Sequence, residues 1–167
     1  MQTLIQPLEC QPHLIIYGAG HVGKATAHIA SSVGFKVTVV DDRDDWLTEE
    51  RFSAETKLIG SDPVSVLDGI PDSINTYHLV VTHSHQLDQD LVQRLLVREH
   101  GWVGMIGSKT KLAKFLIRFK AAGMDPLLFE RLHTPVGIDI GAQTPEEIAV
   151  SVVAELIQRR RIGDAAR

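Results

Sequence analysis

The run Gly18-Ala19-Gly20-His21-Val22-Gly23 fits G-x-G-x-x-G. It follows the apolar stretch 14–17 and opens a segment rich in small residues, and Asp41 lies eighteen residues past its last glycine. Each part has a physical reason. Gly18 permits a tight turn, Gly20 lets a phosphate approach the backbone, and Gly23 lets a helix pack closely on a sheet. The helix N-terminus then offers free N–H groups and partial positive charge to an anion. Asp41 can accept a hydrogen bond from a ribose 2′-hydroxyl. With Asp42 it disfavours a 2′-phosphate, while Arg43 pulls the other way, so a bound dinucleotide would be NAD rather than NADP. Gly18 to Lys24 also reads G-x-x-x-x-G-K, but Ala25 stands where a P-loop places Ser or Thr on magnesium, which argues against a nucleoside triphosphatase.

Three further stretches carry polar chemistry. Thr82-His83-Ser84-His85-Gln86-Leu87-Asp88 follows an apolar run. In an extended chain His83 and His85 point to one side, and Asp88 could complete a facial set of metal ligands. The spacing has one residue too many for H-x-H-x-D, so a polar-ligand or proton-transfer role and a purely capping role stand beside the metal reading. Gly107 and Ser108 precede a segment carrying Lys109 and Lys111, which makes a second helix N-terminus where Ser108 is an N-cap or a phosphate contact. Asp139 and Gly141 lie in a loop with Gly137, and Asp139 is either a satisfied structural acid or a site residue.

These residues need elements to hold them. Strands are expected at 14–17, 36–40, 56–60, 78–82 and 102–106. Helices are expected at 20–34, 62–70, 87–99 and 109–122, with one turn near Trp46. The last helix has the clearest start: Thr144-Pro145-Glu146-Glu147 is a capping box with Pro at the first helical position, and Arg159, Arg160 and Arg161 complement the negative end. Strands alternating with helices give an α/β fold: a doubly wound, mostly parallel, Rossmann-like sheet with helices on both faces. In that fold the first and fourth strands are neighbours where strand order reverses, so His83 and His85 should line the same crevice as Gly20. Residues 1–13 read as a tail and 14–167 as one domain.

Composition narrows the class. An apolar fraction of 44% with 23% charged residues suits a globular domain, and no apolar run is long enough to span a bilayer. The single cysteine, Cys10, rules out an intramolecular disulfide and a multi-cysteine zinc site. A reducing cytoplasm is the expected setting. The net charge of −4 argues against general nucleic-acid binding. Charge is nevertheless polarised: residues 41–50 hold six acids against Arg43, and residues 91–120 hold seven bases against Glu99. Such a dipolar surface suits an anionic ligand or an acidic protein patch.

GAGHVGKA, VVDDR, THSHQLD, GMIGSKTK and, above all, TPVGIDIGAQTPEEIAVSVVAELI resemble the C-terminal domain of the xanthine dehydrogenase accessory protein family (XdhC/CoxI), over about His13 to Arg161. The resemblance implies a Rossmann fold. It also implies a chaperone-like role: binding the molybdenum cofactor (molybdopterin), protecting it while its terminal sulfur is installed, and delivering it to an apoenzyme. By position it singles out Gly18, Gly20, His21, Gly23, Asp41, Asp42 and Arg43 on one side. Thr82, His83, His85, Asp88, Gly107, Ser108 and Lys111 follow, with Asp139, Gly141, Thr144 and Glu147. The implied partners are a molybdenum hydroxylase of the xanthine dehydrogenase type and a cysteine desulfurase, with no nucleic acid and no membrane; a homodimer is compatible with it. Family members ordinarily carry a further N-terminal domain, and residues 1–13 read as the end of a linker, which leaves a single-domain member or a fragment. The competing functions are an NAD(P)-dependent oxidoreductase, for which no hydride-transfer site is visible, and a nucleotide-sensing regulatory domain. The reading is thus a cofactor-binding accessory protein rather than an enzyme, with no catalytic residue and no metal ligand assigned.

Overall fold

The computed structural model describes residues 10–163. The expected tail falls largely on residues 1–9, and the end of the expected domain on 164–167, both outside the described residues; His13 already belongs to a strand. Six parallel strands form one sheet: β1 (His13–Tyr17), β2 (Lys36–Asp41), β3 (Lys57–Gly60), β4 (Ser73–Val80), β5 (His100–Met105) and β6 (Leu132–His133). Their order is β3-β2-β1-β4-β5-β6. β1 sits between β2 and β4, with Ile15 opposite both Thr38 and His78. Strand order therefore reverses between β1 and β4, and the carboxyl edge there is where such sheets open a crevice.

Helices α1 (His21–Ser32), α2 (Pro63–Val66), α3 (His85–Leu95), α4 (Lys109–Ala121) and α5 (Pro145–Ile162) cover both faces. Alternate residues of each strand explain how. Leu14, Ile16, Val37, Val39 and Leu79 meet Ala27 and Ala30 of α1 and Val152, Val153 and Leu156 of α5 in one core. Ile15, Tyr17, Val40, Val80, Val103 and Met105 meet Leu91, Val92 and Leu95 of α3 and Phe115 and Phe119 of α4 in the other. A strand buried on both faces reads as a continuous apolar run, as LIIY does. Among the described residues no helix is long and apolar enough to cross a membrane.

Several boundaries differ from expectation. β4 runs over 73–80 rather than 78–82: Ser73 pairs with His100, the register with β5 is irregular between Ser73 and Tyr77, and Thr76 and Tyr77 pair with β1, so its start rests on backbone pairing and not on an apolar pattern. α3 begins at His85, not residue 87, since Ser84 Oγ accepts from Leu87 N. It stops at Leu95, short of 99, and beyond it the Arg98 guanidinium donates to Leu67 O and Ile70 O and pairs with Asp72. β5 starts at His100, two residues before the expected strand at 102. β6 was not expected: two residues pairing with Val103 and Gly104 carry no readable period. The short helix expected at 62–70 is α2 followed by a turn at 67–69, with Asp62 as its N-cap.

The start of α5 is as expected. Thr144 Oγ1 accepts from Glu147 N at 3.2 Å, and Glu147 Oε2 accepts from Thr144 N at 3.0 Å. The loop before it is strapped to the same helix. Gly137, at φ +99°, donates its N–H to Glu155 Oε2 at 2.6 Å, and a Cβ there would meet Ser151 Oγ at 2.2 Å. Ser151 Oγ donates to Ile138 O, Trp102 Nε1 donates to Glu155, and His133 pairs with the same carboxylate. The most specific stretch of the sequence thus serves, at its centre, to fasten a loop onto α5 and β6.

Candidate functional site

The carboxyl edge of β1, β4 and β5 opens into a cleft of about 790 Å³. The glycine loop forms one wall. Gly18 sits at φ +119°, where a Cβ would lie 2.3 Å from Val81 O, and a Cβ on Gly23 would lie 2.0 Å from Gly18 O. The fold itself requires both glycines. Gly20 differs: its φ is −63°, and a Cβ there would meet nothing within 4 Å. It is the N-cap of α1 with no side-chain cap, so the first N–H groups of that helix face the space it leaves. Gly20, His21 and Gly23 all line the cleft.

Asp41 is 2% exposed and fully engaged. Oδ2 accepts from Ala19 N at 2.7 Å and Arg43 Nη2 at 2.8 Å; Oδ1 accepts from Arg43 N at 3.0 Å and Arg43 Nε at 2.9 Å. These four donors fill the lone-pair positions of a carboxylate. Burial alone would raise its pKa, but the Arg43 guanidinium and the two backbone N–H groups outweigh that and hold the carboxyl below its ordinary value. In this arrangement Asp41 ties the glycine loop to β2 and has no acceptor left for a ribose. Beyond it, the Arg43 and Arg51 guanidinium groups lie over the Trp46 ring, 4.8 and 4.7 Å from its centroid, with the His21 ring edge-on at 5.6 Å.

The loop after β4 brings Thr82, His83 and His85 to the cleft. Asp88 lines it too, but from a buried position where its oxygens are used: Thr82 Oγ1 donates to Oδ1 at 2.6 Å, and Lys111 Nζ pairs with Oδ2 at 2.5 Å. Lys111 also donates to Ile106 O at 3.3 Å. Asp88 therefore ties α3 to the loop after β4 and to Lys111 of α4, and its oxygens are taken up there. His83 instead stands by Asp41 and exposed Asp42, with one ligand atom from each within 4.8 Å of the others. Arg43 already occupies the Asp41 carboxylate, so this grouping lacks a free buried acid.

The opposite wall is the turn Gly107–Ser108 and the first turns of α4. Ser108 Oγ caps that helix by accepting from Lys111 N at 3.2 Å. Thr110, Lys111, Lys114, Phe115 and Arg118 line the cleft, as does Pro145 at the start of α5. Lys114, Arg118 and Pro145 were missed in the sequence; the signal for the two bases is their spacing from Lys111, three and seven residues on, which puts both on one helical face. Asp139 and Gly141 do not line the cleft. Both are exposed, and Asp139 Oδ1 accepts from Gly141 N at 3.3 Å within its own loop. Thr144 and Glu147 serve the cap of α5. In the cleft lining, four bases (Arg43, Lys111, Lys114, Arg118) face one acid, Asp88. The arrangement can hold an anion.

The chain has relatives of known name. It is 36% identical over 157 residues to a Bacillus subtilis protein described as a probable xanthine dehydrogenase subunit, covering 94% of this chain and 46% of that protein. It is 35% identical over 162 residues to the uncharacterized protein YqeB of Escherichia coli, covering 95% of this chain and 29% of that one. A crystal structure described as a xanthine dehydrogenase from Bacillus halodurans superposes with a TM-score of 0.81 at 34% identity, over 93% of this chain and 44% of the other. The chain thus spans less than half the length of each of these proteins. Residues 14–156 match the XdhC Rossmann domain, over the same loop, histidine turn and strapped α5 that build the cleft. The chain belongs to the XdhC Rossmann-domain family.

Proposed function

We propose that the cleft holds the phosphate-bearing molybdenum cofactor, and that the protein is an accessory factor in the maturation of a xanthine dehydrogenase-type molybdenum hydroxylase. The observation that carries this reading is Gly20: neither backbone conformation nor packing requires a glycine there, yet it leaves open the approach to the uncapped end of α1. An anionic group fits that approach, since the donors are backbone N–H groups and the lining bases outnumber acids. Gly20, His21 and Gly23 would hold the phosphate, and His83 and His85 would border the rest of the ligand. When bound, the cofactor supplies the molybdenum redox chemistry that the client enzyme uses. This chain holds and shields the group; sulfur would come from a cysteine desulfurase. The names of the relatives support the client class.

A nicotinamide dinucleotide is the second reading, favoured by the strand order and the glycine loop. The engaged carboxylate of Asp41 weighs against it, because the usual ribose acceptor is already taken. The deciding experiment is a binding titration of molybdopterin and of NADH against the wild-type protein and Gly20→Val. We expect molybdopterin binding that falls more than about tenfold in the variant, or ~1.4 kcal/mol, with thermal unfolding little changed. Equal affinity in the two proteins overturns the assignment, and tight NADH binding without molybdopterin binding replaces it.

A further inference from the structure

The cleft is lopsided. Among the described residues only Arg43 reaches it from the β2 side, whereas the loops after β4 and β5 and the helices α3 and α4 that follow them supply most of the remaining lining. On the β2 side Asp41 is saturated and the Arg43 and Arg51 guanidinium groups both lie over the Trp46 ring, so that end is filled by the protein's own side chains. The open direction from Gly20 runs over the histidine turn towards α4.

α4 has an unusual charge pattern. Over Lys109–Ala121 it carries five bases and no acid, and its first turn, the positive end of the helix dipole, has Lys109 and Lys111. Bases there are unfavourable, and acids are the usual choice. α5 follows the rule, with Glu146 and Glu147 in its first turn and Arg159 to Arg161 in its last. Local rules are broken mainly where a site demands it. The three bases of α4 that line the cleft also differ in state. Lys111 is neutralised by Asp88. Among the described residues Lys114 and Arg118 have no carboxylate partner; Arg118 spends one of its five N–H donors on Gln89 Oε1 at 2.7 Å.

We propose that Lys114 and Arg118 form a second anion subsite in this cleft, so that its ligand carries two anionic groups: one over Gly20 and one against α4. The ligand lies across β4 and β5 and not over β2. This rests on the reading of the Gly20 loop given above and adds the class of ligand: a phosphate ester with a second negative group at its far end. The uncapped N–H groups of α1 supply directional donors for the first group; the side chains of Lys114 and Arg118 supply mobile, salt-sensitive charge for the second.

The test is an NMR titration of the whole protein with inorganic phosphate, followed by binding of molybdopterin. We expect two sets of shifted amides, at Gly20–Gly23 and at 111–118. Lys114→Gln with Arg118→Gln should remove the second set, leave the first, and weaken molybdopterin binding at least about tenfold, with a shallower salt dependence. Gly20→Val should remove only the first set. Absence of the second set, or molybdopterin binding unchanged in the double variant, overturns the second subsite while leaving the first reading intact. Two phosphate sets in a wild-type protein that does not bind molybdopterin would instead leave the two-anion cleft standing and overturn the proposed cofactor.

Discussion

Three glycines of one loop make three different demands, and mutation separates them. A Cβ on Gly23 would sit 2.0 Å from Gly18 O, a backbone atom that cannot swing away. Gly23→Ala should therefore cost at least ~1–3 kcal/mol, as overpacking does, and lower the melting temperature by several degrees. Gly18→Ala should cost as much, since it adds strain at φ +119° to a contact with Val81 O. Gly20→Ala should cost no more than ~1 kcal/mol, the scale of a changed helix cap. Thermal unfolding of the three variants checks the order; a Gly20 variant as damaged as Gly23 would mean that the open space is structural. The turn at Gly18 and the close packing at Gly23 were legible in the sequence because they follow from local backbone geometry. The state of Asp41 was not. Its spacing from the loop marks the end of β2, but whether its oxygens face a ligand or Arg43 depends on how a neighbouring side chain folds back.

At the scale of elements, the cleft is held by one buried ion pair. Asp88 on α3 and Lys111 on α4 are 3% and 14% exposed at the side chain, and through Thr82 and Ile106 they join the loops after β4 and β5. Removing one partner strands a charge, so Asp88→Ala should cost ~3–5 kcal/mol, whereas Asp88→Ala with Lys111→Met should recover a large part of that. A double-mutant cycle by urea unfolding measures the coupling; additive losses would show that the pair contributes nothing beyond its separate contacts. The sequence could not reveal this pair. Read as an extended run, His83 and His85 share a direction, and Asp88 is expected only to complete their set; once Ser84 starts a helix at His85, Asp88 falls in its first turn and is buried. Element types were readable almost throughout, because apolar periods of strand and helix survive in short windows. β6 escaped because two residues have no period, and the early start of β4 escaped because Ser73 joins β5 across a register irregularity that no sequence pattern marks. Lys114 and Arg118 share a helical face with Lys111 by spacing alone, but which face meets the cleft is settled only by packing of Phe115 and Phe119 into the core.

Across the whole molecule, histidines in the sheet take up a proton only at a cost: His13 of β1, whose pKa burial and then Lys36 and Lys57 lower, and more strongly His78 and His100. His78, on central strand β4, is 3% exposed, and its Nδ1 lies 3.0 Å from Tyr17 Oη. Its pKa is lowered to about 3 by burial first, then by His100, Arg98 and His13. His100 opens β5 with both ring nitrogens buried and, among the described residues, without a hydrogen-bond partner. Its pKa is lowered to about 4 by burial and then by Arg131, Arg159 and His133. In the unfolded chain both return to an ordinary value of 6.5. The unfolded state thus binds more protons than the folded state between these values, so stability is complete above pH 6.5 and is lost as pH falls towards 4. Each histidine can contribute up to ~1.4 kcal/mol per pH unit in that window. Asp41 and Glu155, whose carboxyls are held below their ordinary values by hydrogen bonds that outweigh burial, lose their contribution at still lower pH and act in the same direction. We therefore expect urea midpoints to fall steeply between about pH 7 and pH 5. His78→Leu should make that slope shallower by about one proton, whatever it does to stability at neutral pH. A slope unchanged in His78→Leu would show that the proton is taken up elsewhere, and a midpoint flat across the same range would show that neither histidine is buried in its neutral form.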